Sequence, residues 1–122
     1  SKEKVYNENL EGTWGVYKYL WQNIEQTNQF IARYPSYSIT FTNDGKFVEQ
    51  FANPDTVIIN GTYTFTDQLE KIELEHTAVK LVDTVEVPYQ VKRKYTIFNL
   101  TRTHVQLRND TSQLYMKKLE EE

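Results

Sequence analysis

No cysteine occurs among the 122 residues. That absence removes disulfides, thiolate metal sites and cysteine nucleophiles together, so the core must hold by burial and hydrogen bonding alone. Long apolar runs are missing as well. No stretch approaches the roughly 20 residues of a membrane-spanning helix, and the opening Ser1-Lys2-Glu3-Lys4 lacks the apolar segment of a signal peptide. A soluble chain is expected, its charged beginning compatible with a mature end left by processing. An excess of basic charge is also absent: 14 Lys and Arg stand against 17 Asp and Glu, for a net charge of −3, which disfavours nucleic acid as a partner. Only three prolines and four glycines are present.

What the chain does have is aromatic residues, 14% of the total, within 39% apolar content. That suffices for one domain with a real core and is too little for two. The pattern is period-two alternation. Tyr37, Ile39 and Phe41 alternate with Ser38, Thr40 and Thr42, the signature of a half-buried strand. Asn43-Asp44-Gly45 then reads as a hairpin turn, and a return strand over 46–52 carries Phe47 and Phe51. A long strand follows over 56–66, in which Asn60-Gly61 is read as a bend or bulge because the parity continues through it. Further strands are expected over 71–79, from Tyr89 to Phe98 with Pro88 at the start or at a bulge, around Val105 and Leu107, and over 114–119. Ahead of these, 13–21 is apolar on both parities, and Tyr17, Tyr19 and Trp21 form a second face that needs a cover or a partner. Residues 22–35 are expected to form a short helix or a flap across an opening.

All five aspartates, at 44, 55, 67, 83 and 110, fall in expected turns, where the short side chain can bond its own backbone. With the 22–35 loop and the 99–103 turn they make seven connections, hence eight strands. Short connections between sequential strands imply antiparallel neighbours, and eight of them can close and remove exposed edges. The expected fold is therefore all-β, an eight-stranded antiparallel up-and-down barrel over 10–119, with an N-terminal arm over 1–9 and a polar tail over 120–122. Gly12-Thr13-Trp14 opens the first strand, and the Trp is read as a plug in one end.

Leu10-Glu11-Gly12-Thr13-Trp14, Ile39 to Phe47, Gly61-Thr62-Tyr63-Thr64-Phe65 and Tyr95 to Thr101, in that order, resemble the compact bacterial lipocalin-like domains of the lipocalin (calycin) superfamily. The likeness runs from about Leu10 to Lys118. It implies an exported protein of the cell envelope or surface, often held by a lipid on an N-terminal cysteine preceding this chain, and no catalytic residue. The wider family also has a helix after the barrel and an Arg packed on the Trp; neither is evident in these residues.

On the inward parity four polar side chains stand among the aromatics: Lys18, Glu49, His76 and Arg93. Buried charges are costly unless paired, so such groups sit at a wet mouth, pair internally or meet a polar ligand group. The resulting expectation is a binding protein for a small apolar or amphipathic molecule. Arg93 with His76 would anchor a polar or anionic head, and Glu49, Tyr89, Tyr95, Tyr63 and Phe51 complete the ligand-binding set. The alternative is an envelope interaction module with a side-chain-filled barrel, using Tyr17, Tyr19 and Trp21 as a contact surface. No enzyme activity, metal or cofactor is expected: His76 and His104 with Glu73 and Glu75 lack a metal-binding spacing, and no serine has the context of a nucleophile. The protein is expected to be a monomer or weak dimer, touching a membrane only through a lipid anchor.

Overall fold

The computed structural model describes residues 1–119; the tail over 120–122 lies outside the described residues. In chain order the elements are α1 (Lys2–Leu10), β1 (Gly12–Trp21), β2 (Ile24–Glu25), α2 (Thr27–Arg33), β3 (Ser38–Phe41), β4 (Lys46–Ala52), β5 (Thr56–Thr66), β6 (Lys71–Val82), β7 (Val85–Phe98), β8 (His104–Arg108) and β9 (Ser112–Lys118). Strands β1 and β3 to β9 pair with their neighbours antiparallel, and β9 returns to pair with β1. The eight-stranded up-and-down barrel of the sequence reading is the observed fold, closed and antiparallel throughout. The short β2 is added to the far end of β1, and the five aspartates all lie in the connections.

One barrel end is sealed. Helix α1 starts at Ser1, whose hydroxyl accepts from the Lys4 N–H, and stops at Glu11, which is extended. Gly12 then takes φ +129°, a conformation that side chains disfavour, and so turns the chain directly into β1. Two residues on, Trp14 is fully buried and its indole N–H donates to the Leu10 carbonyl at 2.8 Å. Tyr6 from the helix meets the edge of Phe65 at 5.8 Å. Lys118 at the end of β9 lies 5.0 Å from the Trp14 ring and donates to the Asn9 carbonyl. The core around this plug comprises Leu10, Ile39, Phe41, Phe47, Ile72, Leu74, Val105, Leu107 and Met116 with Tyr63.

Two strand readings are corrected. There is no bulge at Gly61: the pairing of β5 with β4 runs through it without a shift, and the pairing with β6 starts at it. Its bareness is needed because the Phe47 ring lies across it; an added Cβ would fall 2.2 Å from the Glu75 carbonyl oxygen and 2.5 Å from the Phe47 ring. The other correction concerns Pro88, which does not start its strand. β7 begins at Val85 and forms with β6 a long hairpin whose two-residue turn, Asp83-Thr84, has φ of 50° and 67°, as a type I′ turn requires. Pro88 lies within that hairpin opposite Val79, where β7 has no second neighbour among the described residues.

Crowding at Gly61 involves backbone and a packed ring, whereas a Cβ at Gly15 would meet only the flexible Leu119 side chain at 3.1 Å. In urea unfolding, Gly61→Ala is expected to lose about 1–3 kcal/mol, as overpacking does, and Gly15→Ala less than about 1 kcal/mol. Equal losses would contradict this account of Gly61.

Candidate functional site

With Trp14 filling one end, the inward residues of the other half determine what the barrel can hold. Glu49 stands between Phe47 and Phe51 on β4 and is only 5% exposed. Arg93 reaches it from β7, across the interior. The guanidinium grips the carboxylate as a fork, Nη2 to Oε1 at 2.9 Å and Nη1 to Oε2 at 3.1 Å. The Tyr37 hydroxyl, just ahead of β3, donates to the same Oε2. A buried carboxylate thus receives three donors, which is what makes its burial tolerable.

The titration of the surrounding groups follows. Burial and then the neighbouring Glu49 charge push the Tyr37 hydroxyl well above 10.0, the ordinary tyrosine value. Tyr95 is raised by burial against the opposing pull of Arg93. Arg93 itself is drawn down by burial but held above its ordinary value by the hydrogen bonds and charge of Glu49. His76, on β6, is lowered from 6.5 by burial and by the Arg93 charge, against the pull of Glu49.

These groups line a cavity of about 360 Å³ open at the unplugged end. Its rings form a connected set: Phe30 lies 4.9 Å from Tyr19, 5.0 Å from Tyr34 and 5.3 Å from Tyr37, and Tyr34 lies 5.0 Å from Phe51. Helix α2 supplies Phe30, with Tyr34 one turn on, and these two side chains hold the helix over the mouth. The walls are completed by Ile59, Leu114 and Ser112. Two polar atoms here are buried without a hydrogen-bond partner, Arg93 Nε and His76 Nδ1.

Of the expected ligand-binding residues, Arg93, His76, Glu49, Tyr95 and Phe51 line this cavity together. Tyr63 does not. It sits nearer the plugged end, its hydroxyl donating to the Thr42 carbonyl at 2.6 Å, because parity gives its face but not its height along the strand. Tyr89 is also outside: it is on the projecting part of the β6–β7 hairpin, 42% exposed. Lys18 is turned outward. The β1–β9 register shifts between Val16 and Lys18, leaving Tyr17 as an extra residue, and beyond this bulge the parity of β1 is reversed. Lys18 then covers the Tyr115 ring at 5.1 Å, and Tyr19 faces the cavity. Tyr17, Tyr19 and Trp21 consequently do not form one outer face. His104 is at the other end, against Tyr17.

The reading of residues missed Tyr19, Phe30 and Tyr34 as part of this wall. The bulge hid the first; the second and third carried a legible signal, two aromatics four residues apart in an otherwise polar segment.

The barrel is similar to a lipocalin-like protein from Bacteroides uniformis, at 12% identity over 91% of this chain and 99% of that one, with a TM-score of 0.65. It is also similar to an uncharacterised protein from Bacteroides eggerthii, at 15% identity over 90% and 99%, with a TM-score of 0.66. No family model and no curated protein matches the chain. The likeness establishes a lipocalin-like fold.

Two outcomes test the electrostatics. Glu49→Ala leaves Arg93 facing a desolvated gap, and unfolding free energy is expected to fall by about 2–4 kcal/mol. This lies low in the range for a broken buried pair, because 27% of the Arg93 side chain still meets solvent. Glu49→Leu combined with Arg93→Met should recover most of it; if the double variant is no more stable than the single one, the cost is not that of an orphaned charge. Above pH 10.0 the unfolded chain releases tyrosine protons that Tyr37 and Tyr95 retain in the fold, so stability should decline as pH rises past that value. Tyr37→Phe should make the decline shallower in unfolding curves recorded between pH 9 and about 11.

Proposed function

We propose that this protein binds a small apolar or amphipathic molecule in the open end of its barrel, the aromatic rings holding the body and Arg93 with His76 meeting the polar head. The observation that carries this reading is the aromatic-walled cavity itself, with Arg93, 27% of whose side chain remains exposed, and His76 among its lining residues. The cavity lies at the small end of the range for small-molecule sites, about 300–1,000 Å³. Exposed aromatics as a protein-contact surface have less support, because the bulge in β1 separates Tyr17 from Tyr19 and Trp21. An exported, lipid-anchored setting belongs to the same reading and rests on the likeness to lipocalin-like domains. Catalysis is no part of it.

Protein purified without denaturation, then extracted and analysed by mass spectrometry, should release a molecule of defined mass in stoichiometric amount. Adding that molecule back should raise the melting temperature by mass action. Ile59→Trp places a large ring in the cavity and should weaken this binding by about tenfold or more. Full binding by a folded Ile59→Trp variant would place the ligand elsewhere.

A further inference from the structure

An arginine in an aromatic cavity suggests an acid-binding site, but the charge balance here argues otherwise. Arg93 and Glu49 carry opposite unit charges and are joined as a fork. Of the other side chains in the cavity wall, only His76 titrates near neutral pH, and burial and the Arg93 charge disfavour its charged form against the weaker opposing pull of Glu49. The interior is thus already neutral. A ligand carboxylate would have to displace Glu49 from Arg93, leaving a carboxylate that is 5% exposed without its counter-ion, or enter as an unpaired second negative charge. A ligand ammonium finds Glu49 already receiving Arg93 and Tyr37 and meets the guanidinium charge beside it. What the site still offers is hydrogen bonding without a net charge to satisfy: the partly exposed Arg93, only two of whose five guanidinium N–H groups go to Glu49, and the His76 imidazole beside it. The two are close by construction. β6 and β7 pair so that Leu74 faces Arg93 and His76 faces Val91, which makes His76 and Arg93 diagonal neighbours on one face, about 7–8 Å apart at most between their Cβ atoms. Around them stand Tyr19, Phe30, Tyr34, Tyr37, Phe51 and Tyr95, which favour a flat π-system.

We propose that the cavity selects an uncharged, planar aromatic molecule whose head is an amide- or carbonyl-type acceptor, seated against Arg93 and His76, and discriminates against the corresponding acids and amines. The inference rests on the binding reading above and gives it a ligand class. Glu49 acts here as the resident counter-ion, filling the place that a carboxylate ligand would otherwise take.

The test uses the whole chain and four matched probes: 2-naphthamide, 2-naphthoate, 2-naphthylmethylammonium and naphthalene. Affinity is measured by calorimetry at pH 7.5, and Ile59 and Leu114 methyl shifts report whether each probe occupies the cavity. The amide is expected to bind about tenfold or more tightly than either ion, and more tightly than naphthalene. In Glu49→Gln, which keeps the shape and removes the negative charge, the order of amide and acid should reverse. Naphthoate or the ammonium binding in the cavity as well as the amide overturns the charge selection and leaves the binding reading standing. Absence of cavity shifts with all four probes overturns both. Should Glu49→Gln fail to fold, the four affinities of the unaltered protein decide the matter by themselves.

Discussion

The hydrogen bond from the Trp14 indole to the Leu10 carbonyl makes the two ends of this barrel different. It joins the last turn of the N-terminal helix to the first strand, over a glycine whose φ of +129° permits the abrupt change of direction. With the largest side chain of the core seated there and Lys118 laid across it from the final strand, first and last strands are fastened at the same end that the helix seals. Where the wider lipocalin pattern packs an arginine on this tryptophan, Lys118 supplies the cation here. An interior of eight strands is just large enough to be filled by side chains or to hold one small molecule. Here the plugged half takes the first course, and the unplugged half the second.

That division explains where polarity is tolerated. In the plugged half the inward residues are apolar, apart from hydroxyls that reach backbone, as Tyr63 reaches Thr42. Polar inward groups begin one inward step toward the mouth, at Glu49 after Phe47, His76 after Leu74 and Arg93 before Tyr95. An apolar replacement of the Arg93–Glu49 fork should hold the barrel nearly as well, so stability is a weak account of it. The fork does define a chemical environment: a neutral pair, rigidly oriented, with Tyr37 locked against it and two polar atoms left over.

Much of this could be read from the residues because antiparallel strands write their structure locally. Alternation gave the inward face of β3 to β7, the aspartates marked the turns, and five residues of the proposed set, Arg93, His76, Glu49, Tyr95 and Phe51, were found on one wall. What escaped was whatever alternation does not encode. A single extra residue at Tyr17 inverts the parity beyond it, exchanging Lys18 for Tyr19. Height along the barrel is set by register between strands, so Tyr63 and Tyr89 share the right face yet stand above and below the cavity. Phe30 lies on α2 and Tyr34 caps its end, and the helix is held to β1 by the Tyr19 N–H donating to Thr27 Oγ1 at 3.0 Å as well as by these rings.

The long β6–β7 hairpin leaves part of β7, among the described residues, with an unpaired edge, and the residues along that edge suit it. β7 pairs with β6 from Val85 to Thr96 but, among the described residues, with β8 only through Thr96–Phe98, so most of its length has one free edge. Counting from the Asp83-Thr84 turn, Val82 and Val85 form the closing hydrogen-bonded pair, and alternation then points the backbone groups of Glu86, Pro88, Gln90, Lys92 and Lys94 off that edge. Pro88 has no N–H to offer a further strand. Lys92 and Lys94 crowd the same line with charge, engaged by Glu75 at 4.0 Å and Asp67 at 3.6 Å, and lysine on a free edge opposes pairing with another chain. The proline that would be a fault in an interior strand is thus placed where its missing donor is an advantage. The short β8, which creates the free edge, can leave the barrel wall open beside Tyr95 because the edge it exposes is guarded by residues of β7 itself.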